Sequence, residues 1–282
     1  MYQDSFGSAL KRGYMSIPVA IRVLISINVA IFVLQSLAGA GFYRMIVELF
    51  GFDPDWRIAA TQPWRLFTYM FIHAHTFHLL FNMLWLWWMG RAVEETLGPR
   101  TFLVIYFGAG IGGVLLNMVL AFISGYNLVI GASGAVLGVM VAFAYMFPRT
   151  PIMLLLLPPI EARFIVAGLI AIDLIFIGAG DNVARLVHLG GAGFGYLLIS
   201  AHYKGTDLSA IVRTLENLKP GKRKTKPKQK KNKNMYSIKD VEIMEESEAD
   251  ELDEILDKIS KKGYDALSAE EKKKLFELSK RN

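Results

Sequence analysis

Residues 1–203 hold only 20 charged side chains, about one position in ten, where a soluble domain carries roughly one in four. The last 79 residues reverse the pattern, with 36 charges, nearly one position in two. A single water-soluble globule is therefore excluded. The chain has no cysteine, which removes disulfide scaffolds, zinc–thiolate sites and cysteine nucleophiles from consideration.

The charge-poor part divides into apolar runs of the length that crosses a hydrocarbon core about 30 Å thick, roughly 20 residues each. The first is Ile17–Ala38, interrupted only by Arg22. It is too long for a signal-peptide core and lacks the usual small-residue cleavage pattern, so it reads as a retained span. The second centres on His78–Gly90 with apolar residues from Phe67 before it, and the third is Thr101–Ile123. Shorter or glycine-rich runs follow at Ala132–Phe147, Phe164–Gly178 and Val183–Tyr203. The stretch Ile152–Ile160 is too short to span and is stopped by Pro158-Pro159, which suits an interfacial segment. The expected fold class is an all-α membrane protein with six spans. Its expected organisation is an N-terminal cytoplasmic segment 1–16, a six-helix domain 17–203, a basic cytoplasmic linker 204–239 and a small helical module 240–282.

Six spans put both termini on one side. Lys11, Arg12, Arg22, Arg91, Arg100, Arg149, Arg163 and Lys204 fall on that side, against Arg44, Arg57, Arg65 and Arg185 on the other. The bias becomes strong with Lys219–Lys233, nine basic residues in fifteen positions, which favours a cytoplasmic C-terminus. That run suits a solvated linker and contact with anionic lipid headgroups alike. Nucleic acid is not an expected partner, because no aromatic residue is interleaved with the lysines. Beyond it, Asp240–Asp257 holds ten acids in eighteen positions. Leu252, Ile255, Leu256 and Ile259 then recur at helical spacing, and Gly263 is placed to end that helix. Ser268 and Glu271 form a capping-box pattern for a second helix through Leu275 and Leu278.

Polar groups inside spans are costly and ask for a function. Four stand out: His78 and Asn82, four positions apart on one helix face, Ser133, and His188. Ser133 lies in Gly131-Ala-Ser-Gly134, and His188 opens His188-Leu-Gly-Gly191 followed by Gly195, a small-residue face for close helix contact. Ser133 precedes Pro148 by fifteen residues and His188 precedes Tyr203 by fifteen, about 22 Å of helix in each case. His78 precedes Arg91 by thirteen, about 20 Å. With those ends on the inner face, all three polar groups share one depth, roughly 8–10 Å below the outer boundary.

Acyl transfer is the chemistry such a cluster suits. A serine hydroxyl needs an adjacent base, and His188 is the histidine on another span at matching depth. An oxyanion needs donors, which the Ser133 backbone N–H, the Asn82 amide and the His78 ring can supply, aided by the helix dipole at Ser133. No carboxylate is evidently placed to orient the base, so the reading is a Ser–His dyad. Asp173, near the middle of the fifth run, faces either the site or a polar partner inside the bundle. The triplet His73, His75 and His78 also raises a metal site. Only His75 and His78 share a close helical face, without a carboxylate, so none is expected.

The set resembles the rhomboid family of intramembrane serine proteases. It comprises Trp64-Arg65, His73, His78-Leu-Leu-Phe-Asn82, Gly90-Arg-Ala-Val-Glu94 through Gly98, Gly131-Ala-Ser133-Gly134, and His188-Leu-Gly-Gly191 with Gly195. The resemblance covers about residues 17–203. It implies a six-helix bundle with Ser133 as nucleophile, His188 as base, and His78 with Asn82 at the oxyanion. It implies cleavage of transmembrane segments of other proteins, without metal or cofactor, by an integral protein of a bacterial inner membrane with both termini cytoplasmic. Arg65 and Glu94 are implied to be structural. Some family members carry an aromatic residue four positions after the nucleophile, stacked on the base. Here that position is Leu137, which leaves the base to glycine-mediated packing and the Leu137 contact.

The alternative is a proteolytically inert rhomboid-like protein that binds membrane clients, although such relatives typically lack the serine or the histidine. A transporter would show paired ionisable residues along a path, and only Asp173 fits one. The site depth predicts cutting near the outer end of a client helix that unwinds readily. Glycines at the outer end of the fifth run, Gly178 and Gly180, make that run a candidate gate.

Overall fold

A computed structural model describes residues 6–124, 127–153, 158–177, 179 and 184–217 and, in the tail, 255, 258–261, 263, 267–268 and 270–272. The expected basic run Lys219–Lys233, the loop glycines Gly178 and Gly180, and the tail leucines Leu252, Leu256, Leu275 and Leu278 lie outside the described residues. The chain forms two compact units, Met1–Pro220 and Gly221–Asn282.

In the first unit the helices follow in the order α1 (Phe6–Met15), α2 (Val19–Leu37), α3 (Gly39–Phe50), α4 (Trp56–Thr61), α5 (Arg65–Thr68), α6 (Thr76–Val119), α7 (Ala121–Ser124), α8 (Ser133–Met146), α9 (Ala162–Ile175), α10 (Arg185–Tyr203) and α11 (Ser209–Asn217). Between α8 and α9, strands β1 (Pro151–Ile152) and β2 (Ile160–Glu161) pair as a minimal antiparallel ribbon. They flank the segment read from sequence as interfacial. α2 and α6 are each long and apolar enough to cross a membrane, and α8 is a shorter apolar helix. Many of their residues are β-branched, which weakens helix propensity in water. In hydrocarbon an unpaired backbone group is far costlier, and the helix is the element that satisfies each one within the segment.

α6 is two helices in one element. Gly98 breaks it with φ 78° and ψ 160°, and Pro99 follows. Proline lacks the N–H that an uninterrupted helix would use and fits the first turn of a new one. The arms before and after Gly98 correspond to the second and third apolar runs, but the second run begins later than the sequence suggested. Residues from Phe67 belong to α5 and a 3-10 turn, Tyr69–Phe71. The helix starts at Thr76 because His75 is extended and caps it, its Nδ1 accepting the His78 N–H at 3.1 Å.

α6, α8 and α10 pack most extensively on one another and form the centre of the unit, with α2 against α6. The central helices approach at glycines. A Cβ on Gly191 of α10 would lie 2.1 Å from the Gly134 carbonyl oxygen of α8, and one on Gly195 would lie 2.4 Å from that of Gly138. Only hydrogen fits there, so the small-residue face read from sequence sets the distance between the helices carrying Ser133 and His188. α9 packs more sparsely against α8 and α10, and only Ala162, Val166 and Asp173 along it are buried.

Two charged residues of the expected motifs hold the frame. The Arg65 guanidinium is buried and donates to Gly51 O at 2.8 Å, to Glu48 O, and to Gln62 Oε1 at 2.6 Å, gathering the segment between α2 and α6 around it. Glu94, also buried, accepts the backbone N–H groups of Ala20 at 2.8 Å and Ile21 at 2.9 Å. It satisfies two of the donors that every helix start leaves open and places a negative charge at the positive end of α2.

In the second unit the expected punctuation is present. Gly263 has φ 81° and its N–H meets Ile259 O at 2.9 Å. The Ser268 N–H donates to Glu271 Oε2 at 2.7 Å, and the Glu271 N–H donates to Ser268 Oγ at 3.2 Å, a reciprocal capping box. Lys258 Nζ donates to Glu271 Oε1 at 2.7 Å, and with the Ser268 contacts it holds the Glu271 carboxyl down at about 2.

Candidate active site

The segment leading to Ser133 is fixed before α8 begins. Phe52 and Val129 exchange backbone hydrogen bonds at 2.9 and 2.8 Å, and the Gly131 N–H donates to Tyr69 O at 2.9 Å. Gly131 takes φ 112°, and a Cβ there would come within 2.6 Å of the His78 ring. Glycine is thus required both by the backbone conformation and by the ring beside it. This turn delivers Ser133 to the first position of α8, where backbone N–H groups are unpaired and the helix dipole is positive.

His188 lies in the first turn of α10, its N–H bonded to Ala184 O at 3.1 Å. Its Nε2 is 2.7 Å from Ser133 Oγ. On the opposite edge of the ring, Nδ1 is 3.0 Å from Asp173 Oδ2. A carboxylate accepts, so an Nδ1–H suits that edge of the ring and would leave the Nε2 lone pair toward the serine hydroxyl. Both side chains of the His188–Asp173 pair are largely buried, 19% and 11% exposed.

Of the two surroundings expected for Asp173, the site or a polar partner inside the bundle, the structure gives it the His188 ring. Asp173 stands on α9, fifteen residues before His188, and only the packing of α9 against α10 brings the two together. The signal present in the sequence was a single acid inside an apolar run. Nothing in local spacing named its partner.

His78 and Asn82 share one face of α6, as their spacing predicts. The His78 ring sits against Gly131, and its Nδ1 faces the Ala74 N–H at 3.4 Å, which leaves the ring proton on Nε2. Asn82 is buried, and its Nδ2 donates to His78 O at 2.8 Å, so one of its two amide protons is committed within its own helix. The rings of His73 and His75 lie 5.0 and 5.8 Å from that of His78, centre to centre. His73 is fully buried, its backbone carbonyl held by Gln35 Nε2 at 2.5 Å. Leu137 is buried one turn along α8 from Ser133.

These features define an all-α membrane protein with a hydrogen-bonded serine–histidine pair at the ends of two closely packed helices. Residues 60–204 match the Rhomboid domain, slightly more than half of the chain, and the protein belongs to the rhomboid family. Residues 244–281 separately match a family of unknown function, DUF6576. Among its relatives, the Bacillus subtilis rhomboid protease GluP is 32% identical over 187 residues, covering 65% of this chain and 35% of the relative. Rhomboid protein 1, mitochondrial, of Saccharomyces cerevisiae is 31% identical over 138 residues, 48% of this chain and 38% of that protein. The Klebsiella pneumoniae rhomboid protease GlpG is 38% identical over 82 residues, 29% of this chain and 28% of the relative. The chain thus spans about a third of the length of the curated relatives it matches.

Proposed function

We propose that the protein is an intramembrane serine endopeptidase that cleaves transmembrane segments of other membrane proteins, with Ser133 as nucleophile and His188 as base. The observation that carries this reading is the 2.7 Å contact between Ser133 Oγ and His188 Nε2 at the start of α8. A serine hydroxyl is activated when a neutral imidazole lone pair lies within hydrogen-bond reach. As Oγ attacks a peptide carbonyl carbon, its proton passes to Nε2 and the carbonyl π pair moves onto oxygen. The resulting oxyanion is met by the Ser133 backbone N–H, the remaining Asn82 amide proton and the His78 Nε2–H. His188 then returns the proton to the departing amine. Water, deprotonated by the same Nε2, hydrolyses the acyl-enzyme.

α2, the two arms of α6, α8, α9 and α10 serve as the six spans, with both termini in the cytoplasm of a bacterial cell and the bundle in its inner membrane. The basic run Lys219–Lys233 then meets the anionic inner leaflet. Clients are single-span or multi-span proteins whose helices unwind near the outer end, where small and helix-breaking residues expose an extended backbone.

In proteoliposomes with a single-span reporter substrate, Ser133→Ala and His188→Ala should each abolish cleavage while the fold is retained. A fluorophosphonate probe should label Ser133 in the wild type. Undiminished cleavage by either variant would sink the assignment.

A further inference from the structure

We propose that Asp173 is a positioning residue that holds His188 in the Nδ1–H form, so that the site works as a serine–histidine–aspartate triad built from three helices. The proposal deepens the proteolytic reading and rests on it.

Three observations carry it. The contact is direct and well placed: Asp173 Oδ2 is 3.0 Å from Nδ1, on the ring edge opposite the nitrogen that faces Ser133. The acid is buried in a helix whose other buried residues are Ala162 and Val166. All three lie along one stripe, four and then seven residues apart, and that stripe is the seam by which α9 packs on its neighbours. A carboxyl group in such a seam is costly to desolvate unless a hydrogen-bond donor meets it, and the His188 ring is that donor. Finally, the position four residues after the nucleophile is Leu137, which has no aromatic face to stack on the imidazole. A hydrogen bond from the side is the restraint this chain provides.

Without a partner on Nδ1, a neutral imidazole is free to carry its proton on Nε2. It would then donate to Ser133 instead of accepting from it and could not act as base. The carboxylate removes that option and stabilises the imidazolium formed after proton transfer, staying ionised throughout. The proton budget is closed: one proton moves from Oγ to Nε2, the Nδ1 proton remains where it is, and Asp173 gains none.

Asp173 could instead simply tie α9 to α10, and the test separates the two roles. Wild-type, Asp173→Asn, Asp173→Glu and Ser133→Ala forms of the full chain are reconstituted with the reporter substrate. The asparagine side chain keeps size and polarity but can present its NH2 to Nδ1, which selects the wrong tautomer. Asp173→Asn should lower kcat by about 10²-fold or more with KM within about twofold, and Asp173→Glu should recover a substantial part of that loss. In 15N-histidine spectra, with His188 identified by its disappearance in His188→Gln, the wild type should show Nδ1 protonated and Nε2 bare. Asp173→Asn should shift the proton toward Nε2.

A kcat loss below tenfold, or a loss matched by KM and thermal stability with the tautomer unchanged, would overturn the proposal. So would an Nε2–H ring in the wild type, a result that does not depend on any variant folding. Full activity in Asp173→Asn beside an inactive Ser133→Ala removes the positioning role and leaves the protease. Full activity in Ser133→Ala removes both.

Discussion

Gly191→Ala tests whether the spacing between α8 and α10 sets the alignment of the reacting groups. The added Cβ would stand 2.1 Å from Gly134 O, 2.7 Å from Gly134 C and 3.0 Å from its Cα. Ordinary contact begins at 3.4 Å, so relief along the line to the oxygen requires a displacement of about 1.3 Å. Gly134 neighbours Ser133, and Gly191 is three residues from His188, so the displacement falls directly on the 2.7 Å hydrogen bond. Stretched by that amount, the contact reaches about 4 Å and no longer transfers a proton. Overpacking of this kind costs about 1–3 kcal/mol, and an ångström of misalignment can cost about 10²-fold in rate. The matched control is Gly193→Ala on the same helix, where a Cβ meets nothing within 4 Å. That change should be neutral or stabilise by up to about 1 kcal/mol through helix propensity. Turnover of the reporter substrate and thermal unfolding are measured together on both variants. If Gly191→Ala matches Gly193→Ala in kcat and stability, the idea that backbone contact at this glycine aligns the site is refuted.

Glu94→Ala should destabilise the bundle by about 2–6 kcal/mol, because it leaves the buried N–H groups of Ala20 and Ile21 unpaired at about 1–3 kcal/mol each. Glu94→Gln, which retains one acceptor, should cost about half as much; SDS-denaturation titration measures both, and no change in either would remove the cap. In the tail, the Glu271 pKa is depressed in the folded state. Its stabilisation is therefore complete above the ordinary value of 4.5 and drains as pH falls through about 2. A carboxyl 13C titration should place the midpoint near 2, and Lys258→Ala should move it upward; an unmoved midpoint would show that the lysine contact is not its cause.

Much of the site was legible because its parts are locally encoded. Gly131 and Ser133 belong to one turn, His78 and Asn82 to one helix face, and Gly191 and Gly195 to another. Residue types alone can announce a left-handed turn, an i,i+4 pair or a close helix contact. Hydropathy places the start of the second apolar helix too early, because it cannot distinguish a spanning helix from the apolar 3-10 turn before it. What ends that turn is the extended, capping His75, a conformational fact.

By itself the sequence determined that residues 17–203 read as an apolar helical bundle, that few polar groups lie within it, and that serine and histidine are suited to act together. Helical periodicity and the cost of burying charge are local properties that survive in a one-dimensional reading. The tertiary structure alone decided that Asp173 meets His188, that Glu94 caps a helix more than seventy residues earlier in the chain, and that Arg65 reaches the backbone carbonyls of Glu48 and Gly51. Each of those contacts joins segments well separated in the chain, and a partner at that distance is chosen by packing.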